Sequence, residues 1–114
     1  MAYKTLVAAS SKPLVLSILS QGKSYGYQII KTVETLTNGE LTWTDAMLYP
    51  VLHRMESDGL IQSEWIILES GRKRKYYTIT PKGKEERETT RAQWMNVNQA
   101  LDQLWSGNVQ LELG

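Results

Sequence analysis

The chain has 114 residues, with 13 basic and 12 acidic side chains, one histidine, no cysteine and a formal net charge of +1. That length holds about one domain with a modest core, too short for a typical doubly wound sheet or an eight-stranded parallel barrel. The lack of cysteine excludes a disulfide scaffold, a Cys-ligated zinc finger, an iron–sulfur centre and a thiol nucleophile. No apolar stretch is long enough to span a membrane and no secretory segment follows Met1, so the expectation is a soluble cytoplasmic domain without a membrane partner. A near-neutral charge gives no global reason to expect nucleic acid; any such reading has to rest on local clustering. Phenylalanine is absent, whereas four tryptophans and six tyrosines are present. These rings bury well but want a partner for N–H or O–H, which suits interfaces and ligand pockets as well as cores.

In chain order, Leu6 to Leu19 is dominated by apolar residues with Pro13 in the middle. Proline in a helix interior costs about 3 kcal/mol, so this first helix is expected to bend there or to start near Lys12. Gln21, Gly22 and Lys23 make a turn. Ser24 is then placed to cap a second helix through Tyr27, Ile30, Val33 and Leu36, with Asn38-Gly39 as its stop. Glu40 to Trp43 reads as a short extended piece. Thr44 follows as an N-cap, with Asp45 in the first turn of a third helix whose Leu48, Leu52 and Met55 share one face. That helix stops at Asp58-Gly59, and Pro50 is expected to distort its first turns.

Ser63 to Leu68 and Arg74 to Thr80 are strand-like runs joined by a linker that contains Gly71, which predicts a β-hairpin with a basic tip. Thr80-Pro81 opens a last helix, threonine as cap and proline at the first helical position, running to about Ser106. Trp94, Val97, Leu101 and Leu104 form a short coiled-coil seam along it. The expected fold class is mainly α with a β-hairpin: a winged helix-turn-helix over residues 1–80, a dimerisation helix over 81–106 and a flexible tail over 107–114.

In such a layout the third helix enters the DNA major groove and the hairpin tip meets the backbone or minor groove. Arg72, Lys73, Arg74 and Lys75 are four consecutive cations at that tip, where phosphate neutralisation would supply affinity. On the third helix, Asp45, Tyr49 and His53 recur every four residues away from the Leu48/Leu52/Met55 face, with Thr44 at the cap. Tyr49 and His53 can hydrogen-bond phosphates or base edges; Asp45 fits the helix start better than a cytosine amine. The bland alternative for the cations is a solvated turn that protects a strand edge.

A single histidine leaves no His cluster for a metal. Glu85/Glu86 and Asp58/Glu56 read as solvated carboxylates, and neither a Gly-rich phosphate loop nor a Ser/His/Asp elbow is present. Neither an enzyme nor a cofactor is expected.

Three blocks carry a resemblance. They are Ser24-Tyr25-Gly26-Tyr27-Gln28-Ile29-Ile30, then Leu48-Tyr49-Pro50-Val51-Leu52-His53-Arg54-Met55-Glu56-Ser57-Asp58-Gly59-Leu60-Ile61, then Gly71-Arg72-Lys73-Arg74-Lys75-Tyr76-Tyr77-Thr78-Ile79-Thr80-Pro81-Lys82-Gly83. In order and spacing they resemble the PadR family of bacterial transcriptional regulators, over about residues 5 to 106. The family tolerates a Leu-Tyr-Pro in its recognition helix, which accounts for Pro50. The resemblance implies a homodimer on an inverted-repeat operator of double-stranded DNA, often repressing transcription, with a small aromatic molecule or drug as inducer in some members. Ser24 and Tyr25 of the first block join Thr44, Tyr49, His53 and Arg72 to Lys75 on the expected DNA-binding surface.

The single C-terminal helix is similar to the short, LmrR-like multidrug-binding subgroup. There the first and last helices build the dimer and a tryptophan on the last helix lines a pore between subunits. Trp94, in Gln93-Trp94-Met95, lies at the corresponding place, with Val97 and Leu101 following. Two departures stand out: Pro13 interrupts the first helix, and Trp105 adds a ring near the end of the last. From the residue pattern alone, Trp94 suits either a dry dimer seam or a ligand pore, and a monomer is disfavoured both ways. Two other readings stay open: a small-molecule sensor with secondary DNA contacts, and a winged helix used as a protein–protein module.

Overall fold

The computed structural model describes residues 2–107, with side chains from residue 8 onward. The elements run α1 (Ala2–Leu19), β1 (Ser24–Tyr25), α2 (Gly26–Leu36), α3 (Asp45–Ser57), β2 (Ile61–Ile67), β3 (Lys73–Ile79) and α4 (Pro81–Ser106). This is the expected mainly α architecture, four helices around a small antiparallel sheet, with one strand more than the hairpin. The sheet has the order β1-β3-β2, and β1 pairs Ser24 with Tyr77 and Tyr25 with Tyr76.

Local chemistry explains the element ends. The Thr44 hydroxyl accepts from the Met47 N–H at 3.3 Å, and the Thr80 hydroxyl accepts from the Gly83 N–H at 3.0 Å, each satisfying an orphan donor of its helix. Pro81 follows Thr80, where its missing N–H costs nothing. At the other end Gly107 adopts φ 75°, the left-handed cap that ends α4. At the hairpin, the Leu68 N–H donates to the Arg72 carbonyl and the Gly71 N–H to the Leu68 carbonyl, both at 2.8 Å. Gly71 takes φ 85° there, which closes the turn without a steric penalty.

The core gathers Val15, Leu16 and Leu19 of α1, Ile29 and Val33 of α2, Leu48, Leu52 and Met55 of α3, and Leu60, Ile61 and Tyr77 from the sheet side. Burying an aliphatic side chain contributes about 1.5–3 kcal/mol, so this cluster is what holds the three-helix unit together. Glu40 to Trp43, expected to be extended, joins no strand pair; its role is to bury Trp43 in this core.

Several expectations are corrected. α1 runs unbroken through Pro13, where the lost bond to the Ala9 carbonyl falls beside exposed Ala8 and Ala9. α3 likewise continues through exposed Pro50. Ser24 does not cap α2: Tyr25 holds the N-cap position with no side-chain cap, because Ser24 and Tyr25 are taken up by β3. The inner face of α2 is Gly26, Ile29, Ile30 and Val33, while Tyr27 and Leu36 face solvent. The strands are shifted from the expected ones, since β2 begins at Ile61 and β3 at Lys73. The expected tail falls, Gly107 apart, outside the described residues.

α4 leaves the body of the molecule. At 1.5 Å per residue its 26 residues span about 39 Å. Its first turns are fastened to the rest: Gly83 packs so tightly on the Leu60 carbonyl that a β-carbon would also stand 2.8 Å from Ile79 Cγ1. Lys12 of α1 pairs with Glu86 at 2.6 Å. Beyond the buried Thr90 every described residue of α4 is exposed, including Trp94, Val97, Leu101, Leu104 and Trp105.

Candidate nucleic-acid interface

Three elements converge on one concavity of about 440 Å³. The β1–α2 junction contributes Tyr25, Gly26 and Tyr27, α3 contributes Tyr49, and the wing contributes Arg72, Arg74 and Lys75. Gly26 makes the convergence possible. A β-carbon on it would lie 2.9 Å from Tyr49 Cζ and in collision with the hydroxyl, so the phenol rests directly on the start of α2.

The wing cations divide by the strand period. Arg74 stands on the same face as Tyr25 and Tyr76, since Tyr25 pairs with Tyr76 and Arg74 lies two residues from Tyr76. Its guanidinium stacks on the Tyr25 ring at 4.0 Å, and Nη1 donates to the Tyr76 hydroxyl at 3.2 Å. That hydrogen bond holds the Arg74 pKa above its ordinary value. Tyr25 and Tyr76 meet edge to face at 5.4 Å, and Lys23 Nζ lies 5.6 Å from the Tyr76 ring. Arg74 is thus a preorganised cation with its planar fork fixed between the Tyr25 face and the Tyr76 hydroxyl, a geometry that lysine cannot reproduce.

Lys75 is on the opposite face, 5.7 Å from the Tyr77 ring and 5.9 Å from the Trp65 ring. Arg72 and Lys73 are exposed beside the turn. On α3, Tyr49 is 44% exposed, and His53 is exposed one turn further on. Tyr77, behind this surface, is buried; burial first, then the nearby Tyr49 and Glu56, pushes its hydroxyl pKa up.

The expected surface residues are therefore gathered unevenly. Tyr25, Tyr49, Arg72, Arg74 and Lys75 line the concavity together. Thr44 at the N-cap of α3 and His53 on α3 are exposed outside it, and Lys73 is exposed at the wing. Ser24 is buried in β1 and donates to Gln28 Oε1 at 2.9 Å, so it is not part of this surface. Tyr27 and Gly26 were not singled out from sequence. The available signal was a glycine flanked by two tyrosines, whose spacing by two only matters once the strand-to-helix switch at Tyr25 is known.

A match to the transcriptional regulator PadR-like family spans residues 15–89, which includes α2, α3 and the whole wing. The chain belongs to the PadR-like family. As a PadR-like chain it is similar to an uncharacterised protein of Lysinibacillus sphaericus, 30% identical over 94 residues, covering 82% of this chain and 86% of that protein. It is also 34% identical over 85 residues to the transcriptional regulator YqjI of Escherichia coli, covering 75% of this chain but only 35% of that regulator. This PadR-like chain thus matches about a third of YqjI's length. Among solved structures, a PadR-like transcriptional regulator from Bacillus cereus superposes with a TM-score of 0.78 at 30% identity, covering 89% of this chain and 96% of that one. A PadR family transcription regulator from Clostridium difficile gives 0.72 at 32% identity, covering 84% and 98%. The winged-helix fold and the role of a transcriptional regulator follow from these matches. Among the described residues no helix is long and apolar enough to cross a membrane.

Proposed function

We propose that this PadR-like regulator binds an inverted-repeat operator as a homodimer and represses transcription from it. In each subunit α3 enters the major groove with Tyr49 and His53 toward the DNA, while Arg72, Lys73, Arg74 and Lys75 neutralise flanking phosphates. The observation that carries this reading is the concavity in which Tyr25, Tyr27, Tyr49, Arg72, Arg74 and Lys75 converge from three elements. Hydroxyls, a fixed guanidinium and further cations around one hollow are what a phosphate backbone needs for positioning, and the neighbouring helix supplies base contacts. A two-fold dimer sets two such helices about 34 Å apart, one turn of duplex.

The dimer reading rests on α4. Trp94, Val97, Leu101 and Leu104 continue the face that carries Gly83 and Thr90 inside the subunit, but among the described residues nothing of the same subunit covers them. Burying this stripe against a second copy, together with α1, is the economical solution. Trp94 lies beside Val97 on this uncovered face, where a second copy facing it would bring two indoles to either side of an aromatic small molecule. Such a ligand would alter the spacing of the two α3 helices and release the operator.

The test is a fluorescence-anisotropy titration with DNA from the protein's own promoter region, at two salt concentrations, against scrambled DNA. Preferential binding with two chains per site and a steep salt dependence supports the reading. Equal, weak binding to both DNAs removes it and shifts the weight to a ligand sensor.

A further inference from the structure

The wing carries two large apolar residues that the fold does not use. β2 pairs with β3 so that Ile61 faces Ile79, Ser63 faces Tyr77, Trp65 faces Lys75 and Ile67 faces Lys73, all on one side of the sheet. This is the side toward α3, because the Ser63 hydroxyl donates to Glu56 Oε2 at 2.6 Å. Along that side burial falls away abruptly. Ile61 and Tyr77 are in the core, whereas Trp65 is 64% and Ile67 70% exposed. They also sit on an edge strand, where exposed apolar residues invite mispairing and are usually avoided.

We propose that Trp65 and Ile67 form an apolar contact face of the wing that lies against the deoxyribose wall of the operator's minor groove, a contact that rests on the DNA-binding reading above. Two features select duplex DNA as the occupant. The patch is flanked on its own face by Lys73 and Lys75, so an apolar centre is rimmed by cations at the spacing of adjacent strand residues. It is also continuous with the concavity of the candidate interface, since Lys75 reaches both the Trp65 ring and that hollow. A sugar edge offers C–H groups for an indole face, and the phosphates on either side offer partners for the lysines. The two apolar side chains then fix how deeply the wing sits, while the cations hold it there.

The proposal separates from simple charge attraction by its salt signature. An apolar contact displaces no condensed counterions, so losing it lowers affinity without changing the salt slope. The double variant Trp65→Ala/Ile67→Ser is expected to bind the promoter DNA roughly tenfold more weakly than the parent, with the slope of log K against log salt unchanged. Trp65→Phe, which keeps an aromatic face, is expected to retain most of the affinity. Thermal unfolding of each variant, and the single variant Ile67→Ser, exclude a collapsed wing as the cause. Binding by the double variant within twofold of the parent overturns the proposal. So does a slope that falls with the affinity, and so does unchanged affinity accompanied by a changed sedimentation mass, which would assign the patch to contact between copies. A parent that shows no preference for its promoter DNA overturns the underlying reading as well, which distinguishes the two failures.

Discussion

The phenol of Tyr49 on α3 lies on the backbone of Gly26 at the first residue of α2, so closely that a single methyl group does not fit between them. This contact ties α3 to the strand-to-helix junction that holds Tyr25 against the wing. Gly26→Ala is expected to displace the phenol and to cost about 1 to 2 kcal/mol, the usual range for overpacking. Urea unfolding measures it. Because the strain is mutual, Gly26→Ala/Tyr49→Ala is expected to be less destabilised than the sum of the two single variants, and strict additivity would deny the contact.

The wing cations are expected to behave unequally. Lys73 is exposed, so Lys73→Ala should lower the magnitude of the salt slope of DNA binding by about 0.9, the loss of one phosphate contact. Arg74 stacks on Tyr25 and bonds to Tyr76, so Arg74→Lys keeps the charge but loses the fixed fork. Affinity should fall several-fold with the slope unchanged. Anisotropy titrations over a salt series check both, and equal behaviour of the two variants would dissolve the distinction.

Much of this was legible in the residues because the signals were local. Thr44 and Thr80 announce their helices through hydroxyl caps, Gly71 announces the turn, and the Leu48, Leu52 and Met55 spacing announces a buried helix face. What escaped depends on pairing at a distance. A strand of two residues, Ser24–Tyr25, has no periodicity of its own and exists only because β3 offers an edge. Its formation takes Ser24 out of the capping role that its chemistry suggested and swings Tyr25 toward Arg74. The four cations look like one cluster in sequence, yet the alternation of the strand sends Arg74 and Lys75 to opposite faces. Propensity alone sets Pro13 against a continuous helix, and only the family resemblance accounts for Pro50; tertiary packing overrides a cost of about 3 kcal/mol when the orphaned carbonyl lies at an exposed surface.

Buried Tyr77 gives the protein an alkaline limit. Its raised pKa means that the folded state keeps the proton after the unfolded chain has released it. Stability from this group is therefore fully present below about pH 10, the ordinary tyrosine value, and is lost as pH rises from there through the folded-state pKa. Tyr77→Phe is expected to reduce the alkaline slope by up to about 1.4 kcal/mol per pH unit in that window, while losing little at pH 7. Urea midpoints at pH 7, 9 and 11 check it. Parallel pH curves for parent and variant would show that another group sets the limit.

The exposed stripe on α4 predicts that the assembly, and not the fold of the winged-helix unit, depends on Leu101. Its side chain lies between Trp94 and Trp105 on a face that no other described element covers. Leu101→Glu puts a charge in each copy of the proposed seam, where it would have to be desolvated against apolar neighbours. The dimer dissociation constant is expected to rise by about tenfold or more, since truncated or charged anchors at an interface centre carry most of its energy. Sedimentation equilibrium reads this directly, and the thermal midpoint should lose its dependence on protein concentration. Trp94→Ala then separates the two roles open to that ring. A variant that remains dimeric but no longer takes up a hydrophobic dye marks a ligand seat, because packing alone would survive without one. A variant that falls to monomers makes Trp94 part of the seam itself, and a variant that does neither leaves the stripe to a partner other than a second copy.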